Sequence, residues 1–366
     1  ESIPTYPLIL EQAGYHIGYT YKVWSPGLSI NAPYGGARTA YESAGTRYNR
    51  FSEEVTARPA GQSIEDAKQE LLDETAANFD SFLDARPKNS DGEDEPFCYW
   101  WGPTNTRRTW QQGSGKDLWN LNPDDLKGRM PEFLPDVPEI REDFNDYLGE
   151  CQAVDAGLGV IIAKLEEAGE LDNTMIVVSG DHGIPGFPRA KCNLYNLGTE
   201  VSMAVRWPKE VTAGRTVDDF VNLMDLAPTF LEAAGVDLPD QMTGKSLLPL
   251  LQSEASGQVE DERSFVVTGR ERHTGGAITG GNPAVEEGLP YPMRSIRTKD
   301  FLYIHNFKPE RWPVGDPGGL DDYSLTPPTR DEILANTGHV YPDIDKGPTK
   351  AWLIANRAEP EVAPLF

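Results

Sequence analysis

The chain has 366 residues, with 33 Lys and Arg against 58 Asp and Glu, for a formal net charge of −25. It carries 8 Trp, 14 Tyr and 13 Phe, too many for a disordered chain, and no run of about 18 apolar residues that would span a membrane. The acidic balance argues against a nucleic-acid partner, which needs a basic face.

The length fits two domains, or one large α/β domain with an appendage. The three cysteines, Cys98, Cys151 and Cys192, make no disulfide framework and have no metal-ligand spacing.

From the N-terminus, Pro7 to Ala13 reads as a short helix stopped by Gly14, and Ile17 to Val23 as a strand of β-forming residues. Residues 26–62 show no strong period and read as irregular. Ser63 then offers a cap, Glu65 and Asp66 suit a first helical turn, and Ile64, Ala67, Leu71, Thr75, Phe79 and Phe82 share one face.

Pro96 to Gly102 is a continuous apolar run, as expected of a strand buried on both faces. Residues 111–140 again read as irregular, and 141–168 as a long helix ended by Gly169. Asn173 to Ser179 and Val201 to Trp207 read as further buried strands, with a helix over Asp218–Ala234 closed by Gly235.

Strands alternating with helices through long crossovers imply an α/β fold with a mostly parallel sheet flanked by helices. After about residue 262 the pattern changes to short strands at 264–268, 294–298 and 301–305 separated by turn residues. The expected organisation is an α/β domain over 1–262 and a smaller C-terminal antiparallel α+β subdomain over 263–366, with one helix near 347–357.

The sharpest chemical signal is Val177-Val178-Ser179-Gly180-Asp181-His182-Gly183. An apolar strand runs straight into Asp-His-Gly, and ligands bind at the carboxyl ends of parallel strands. Asp181 offers a hard oxygen to a cation, and His182 an imidazole for metal binding or proton transfer. Gly183 suggests a turn with positive φ. The plainer alternative is that Asp181 only opens a turn.

Lys191 and Lys22 each stand beside a strand, where an ammonium can hold an anionic oxygen as a point charge or simply be solvated. Arg270 and His273, after a strand of the small subdomain, face the same choice between an acidic sugar and solvent.

These residues resemble the sulfatase family of the alkaline-phosphatase superfamily, nearest its heparan N-sulfatase-like branch. The resemblance rests on Ser179-Gly180-Asp181-His182-Gly183, on Ala190-Lys191 through Tyr195 to Gly198, and on Val205-Arg206-Trp207-Pro208. It continues through Asp225-Leu226-Ala227-Pro228-Thr229 and the run Thr243 to Leu251, and upstream through Glu11 to Lys22.

It implies an alkaline-phosphatase-like fold and hydrolysis of sulfate esters or N-sulfates on a sulfated small molecule or saccharide. It further implies Ca²⁺ as cofactor with Asp181 and His182 as ligands, His182, Lys22 and Lys191 as catalytic groups, and a periplasmic or secreted location. Arg107 and Arg108 would bind the sulfate bidentately where relatives carry a His at 107. The family nucleophile is a formylglycine made from Cys or Ser in a Cys/Ser-x-Pro-x-Arg motif. No Cys or Ser of these 366 residues stands in that motif. The family's N-terminal nucleophile segment and its closing C-terminal element have no counterpart in these residues, so an incomplete or catalytically inactive relative is the alternative expectation, and a phosphodiester or phosphonate hydrolase a further one.

Overall fold

The structure is a computed structural model and describes residues 5–23, 39–271, 291–311, 313–315 and 341–365. His273 lies outside those residues, and with it the expectation placed on it.

The chain begins with α1 (Tyr6–Gln12), with Pro7 in its first turn, and β1 (His16–Tyr21). A 3-10 turn at Arg47–Arg50 leads into α2 (Phe51–Thr56), inside the stretch expected to be irregular. Tyr48 in the turn and Phe51 and Val55 on the helix are all fully buried, and two apolar residues on so short a helix give too little period to read.

Next comes α3 (Ile64–Asp84), where the Ser63 hydroxyl accepts from Asp66 N at 3.0 Å and Leu71, Phe79 and Phe82 are buried on the expected face. β2 (Phe97–Gly102) pairs in parallel with β1, His16 opposite Phe97 and Tyr21 opposite Gly102. β2 is only half-buried and Trp100 is 45% exposed, which corrects the reading of a strand covered on both faces.

After α4 (Ser114–Trp119) comes α5 (Pro138–Glu167), whose end is turned by Gly169 at φ +72° with Glu170 N bonding back to Leu165 O. β3 (Ile176–Ser179), α6 (Asn196–Thr199) and β4 (Met203–Arg206) follow, and β3 pairs with β4. α7 (Leu226–Ala233) starts eight residues later than expected. Asp219 explains this, because its carboxylate accepts from Val259 N and Glu260 N, both at 2.7 Å, while Phe220 N donates to Arg263 O. Those long-range bonds hold 218–220 extended, and a capping box between Asn222 and Asp225 opens the helical turn instead.

α8 (Leu248–Gln252) precedes the expected antiparallel sheet, formed by β5 (Phe265–Arg270), β6 (Met293–Thr298) and β7 (Leu302–Asn306) in that order. The last helix described is α9 (Pro348–Ala355). Among the described residues no helix is long and apolar enough to cross a membrane.

The chain divides into two compact units. The first comprises residues 1–105, 153–177 and 205–264, and the second 106–152, 178–204 and 265–366. α5, β3 and β4 each pass from one unit to the other, so a linear boundary cannot separate them. In the first unit Leu10, Ile17 and Leu231 form one core and Phe79, Phe82, Ile161 and Leu165 another. In the second, Trp110, Ile140, Ile184, Phe187 and Leu353 pack together, and Tyr341, Ile344 and Ile354 belong to a separate cluster.

Candidate active site

The β-branched run Ile176-Val177-Val178 makes β3, and the chain leaves it at Gly180 to present Asp181 and His182 in the second unit. The Asp181 side chain is 75% exposed, and His182 Nε2 lies 3.6 Å from its Oδ1. The other imidazole nitrogen, Nδ1, is 2.8 Å from Gly183 O, which fixes the ring against its own backbone.

Gly183 does not supply positive φ, contrary to expectation. Its backbone N donates to Gly198 O at 3.0 Å, and a Cβ there would stand 1.6 Å from Leu197 O. Close backbone approach, not a left-handed turn, is what demands glycine at this point. Gly198 is pressed in the same way, with Ala190 O and Asn193 O each 2.4 Å from where its Cβ would be.

Between these two glycines the loop doubles back on itself and buries Ile184, Phe187, Ala190 and Leu194. Lys191 N bonds to Ile184 O, and the ammonium of Lys191, only 10% exposed, meets Asp345 Oδ2 at 2.9 Å. The neighbouring Cys192 thiol is pushed up to about 12, chiefly by burial, so it is not a nucleophile at neutral pH.

The other predicted cations have diverse fates. Arg107 is exposed to solvent. Arg108, expected to bind substrate, has a different role in the structure. Its Nη1 and Nη2 each donate to a carboxylate oxygen of Asp143 at 2.7 Å, its Nε donates to Pro185 O, and its plane lies 4.1 Å over the Trp110 ring. A guanidinium held in this way has no bidentate edge left for a sulfate.

Arg270 is likewise engaged, donating to Asp343 Oδ2 at 2.7 Å and to Pro313 O at 2.9 Å. Lys22 belongs to the first unit, exposed just past the carboxyl end of β1, with its backbone N bonded to Gly102 O. Asp181, His182 and Lys191 therefore share the second unit, while Lys22 lies in the first.

Among the described residues, Asp181 and His182 do not by themselves complete a calcium site. Calcium takes about six to eight oxygens. Asp181 contributes one carboxylate, imidazole is a poor ligand for so hard a cation, and among the described residues no group of three metal-ligating side chains converges. Sequence reasoning missed Asp143, Asp343 and Asp345, the partners that decide what the three cations do. They lie 35, 73 and 154 residues from the cations they hold, and no local pattern marks such pairs.

A cavity of about 590 Å³ opens beside Phe133, Leu197 and Glu200, but neither Asp181 nor Lys191 lines it. Glu132 and Glu200 in its wall would repel an anion, whereas the Asp181–Gly198 loop carries both an ammonium and an accessible imidazole.

Residues 181–266 match the family described as N-sulphoglucosamine sulphohydrolase, C-terminal. Over 224 residues the chain is 29% identical to the N-sulphoglucosamine sulphohydrolase of Homo sapiens, covering 58% of this chain and 40% of that protein. Over 225 residues it is 32% identical to an N-acetylglucosamine-6-O-sulfatase of Bacteroides thetaiotaomicron, covering 58% of this chain and 36% of that protein. The chain thus spans less than half the length of these curated relatives.

Among solved structures, a phosphonate monoester hydrolase from Silicibacter pomeroyi gives a TM-score of 0.51 at 18% identity, over 83% of this chain and 72% of that one. A 2-O GAG sulfatase gives 0.51 at 16% identity, over 84% of this chain and 65% of that one. At such identities the likeness concerns the fold, and it agrees with the alkaline-phosphatase-like architecture expected from the sequence.

Proposed function

We propose that this chain, a relative of the sulfatase family in sequence and fold, belongs to a hydrolase that cleaves sulfate esters or N-sulfates of a saccharide. The observation that carries the reading is the family match over 181–266, which begins at the exposed Asp181-His182 turn past β3 and includes Lys191. Both named relatives act, by their names, on sulfated glucosamines.

In this reading Lys191 places a fixed positive charge against a sulfate oxygen, where charge develops as the sulfur is attacked. His182, accessible beside Asp181, moves a proton at the departing oxygen or nitrogen. Arg107, exposed and without the ties that bind Arg108, adds a guanidinium to the sulfate. Asp181 would supply one carboxylate toward a calcium ion.

The test is calorimetric binding of N-sulfated glucosamine to this chain, beside Asp181→Ala and Lys191→Ala. Affinity that falls at least tenfold in both variants is the expected result. Affinity equal in all three proteins would remove the Asp181–Lys191 loop from the sulfate site.

A further inference from the structure

Lys191 and Arg270, two cations expected to meet a substrate anion, each meet a carboxylate from the same short segment instead. Asp345 Oδ2 lies 2.9 Å from Lys191 Nζ, and Asp343 Oδ2 lies 2.7 Å from Arg270 Nη2. All four residues belong to the second unit.

The two pairs are built differently. The Asp343 side chain is wholly buried, its backbone N donates to Val314 O, and its cation is also tied to Pro313 O. The backbone around it is pinned further: Ile344 N donates to Tyr341 O, and the buried ammonium of Lys350 donates to both Tyr341 O and Ile344 O. Asp343 is therefore the fixed point of the segment.

Asp345, two residues on, has a side chain 35% exposed, and Lys191 is its only ion-pair partner among the described residues. Lys191 in turn spends one of its three N–H donors on that carboxylate and makes no other side-chain hydrogen bond among the described residues. A desolvated ammonium needs an anion, and a carboxylate and a sulfate offer it the same kind of oxygen.

We propose that Asp345 is a built-in stand-in for the substrate's sulfate: it neutralises Lys191 while the site is empty, and a sulfate oxygen takes its place when the carboxylate turns out to solvent. The inference rests on the reading of Lys191 as a sulfate-binding group. Because the loop base is pinned at Asp343, the exchange needs only a side-chain rotation at Asp345. Its consequence is a filter, since a ligand must compete with a resident anion and a neutral or weakly charged sugar cannot.

The experiment is calorimetric titration of inorganic sulfate into the wild-type chain, Asp345→Asn, Lys191→Gln and the double variant, so that no turnover is required. Removing a half-exposed competing charge should tighten sulfate binding by about fivefold in Asp345→Asn. The gain should vanish when Lys191→Gln is added. Asp345→Ser serves as a second variant should the asparagine perturb the loop. Sulfate affinity in Asp345→Asn equal to or below that of a wild type whose binding depends on Lys191 would overturn the stand-in while leaving the anion site intact. No Lys191-dependent sulfate binding in any of the proteins would overturn both.

Discussion

Replacing Asp143 by Ala removes the carboxylate that faces Arg108 in the second unit. Both side chains are buried, 5% exposed for Arg108 and 1% for Asp143. The substitution breaks two charge-assisted bonds of 2.7 Å and a third contact from Thr349 N at 3.2 Å. The guanidinium keeps one bond to Pro185 O and the face of Trp110, which soften its isolation without neutralising it.

A buried charge left without its counter-ion costs about 3 to 5 kcal/mol, and nothing in this geometry lets the arginine escape to water. The exposed pair Lys245–Glu262, 60% and 82% exposed, is the control, and breaking it should leave the unfolding midpoint almost unchanged. Urea unfolding of the wild type, Asp143→Ala and Glu262→Ala, followed by circular dichroism, measures both. A loss below about 1 kcal/mol for Asp143→Ala would refute the claim that Arg108 is a structural residue and reopen it as a substrate ligand.

Other expected outcomes follow from local geometry. On α5, Gly159 has no atom within 4 Å of the place a Cβ would take, so Gly159→Ala should stabilise by about 0.5–1 kcal/mol. Gly157 on the same helix would place a Cβ 2.2 Å from Tyr48 Oη and 2.8 Å from the Trp101 ring, so Gly157→Ala should destabilise by about 1–3 kcal/mol; thermal melts that rank the two the other way would contradict the packing. Gly183→Ala should disrupt the Asp181–Gly198 loop and abolish Lys191-dependent sulfate binding, which calorimetry would detect as lost heat. Asp146 carries a carboxyl that burial pushes up to about 7, opposed in part by the N–H groups of Gly115 and Gly113. The folded chain holds that proton more tightly than the unfolded one, whose carboxyl titrates near ~3.9. The stability this gives is full below about pH 4 and is lost as pH rises through 7. Asp146→Asn should flatten that fall in a series of melting temperatures between pH 4 and 7, and an unchanged slope would show that another group is responsible.

Elements with a clear apolar run, a stripe or a cap were legible in the sequence, and those set by distant partners were not. α3 could be read because Ser63 caps it and its apolar stripe runs along a helix of 21 residues. α2 could not, since six residues hold fewer than two turns of pattern. The segment at 218–220 looked helical and is extended, because Asp219 and Phe220 bond to partners some forty residues away. The Asp181-His182-Gly183 turn was legible because an apolar strand stops there, but the reason for its glycine was not. Leu197 O, which excludes a side chain at Gly183, belongs to the far end of the loop, and only the folded backbone brings it near.

Three cations of the second unit show why their partners matter more than their identity. Arg108, Arg270 and Lys191 each face an aspartate within hydrogen-bonding distance. For an outside anion to replace any of these carboxylates, the resident acid must move to a place where it is solvated. Asp143 and Asp343 have no such place: both are buried, and expelling either would strand two charges in a low dielectric. Asp345 already touches water, so its departure exposes one half-solvated carboxylate and leaves one ammonium for the ligand. The same ion-pair chemistry is therefore a permanent brace at two positions and an exchangeable contact at the third. The accessibility of the acid, not the strength of the base, is what sets Lys191 apart from Arg108 and Arg270.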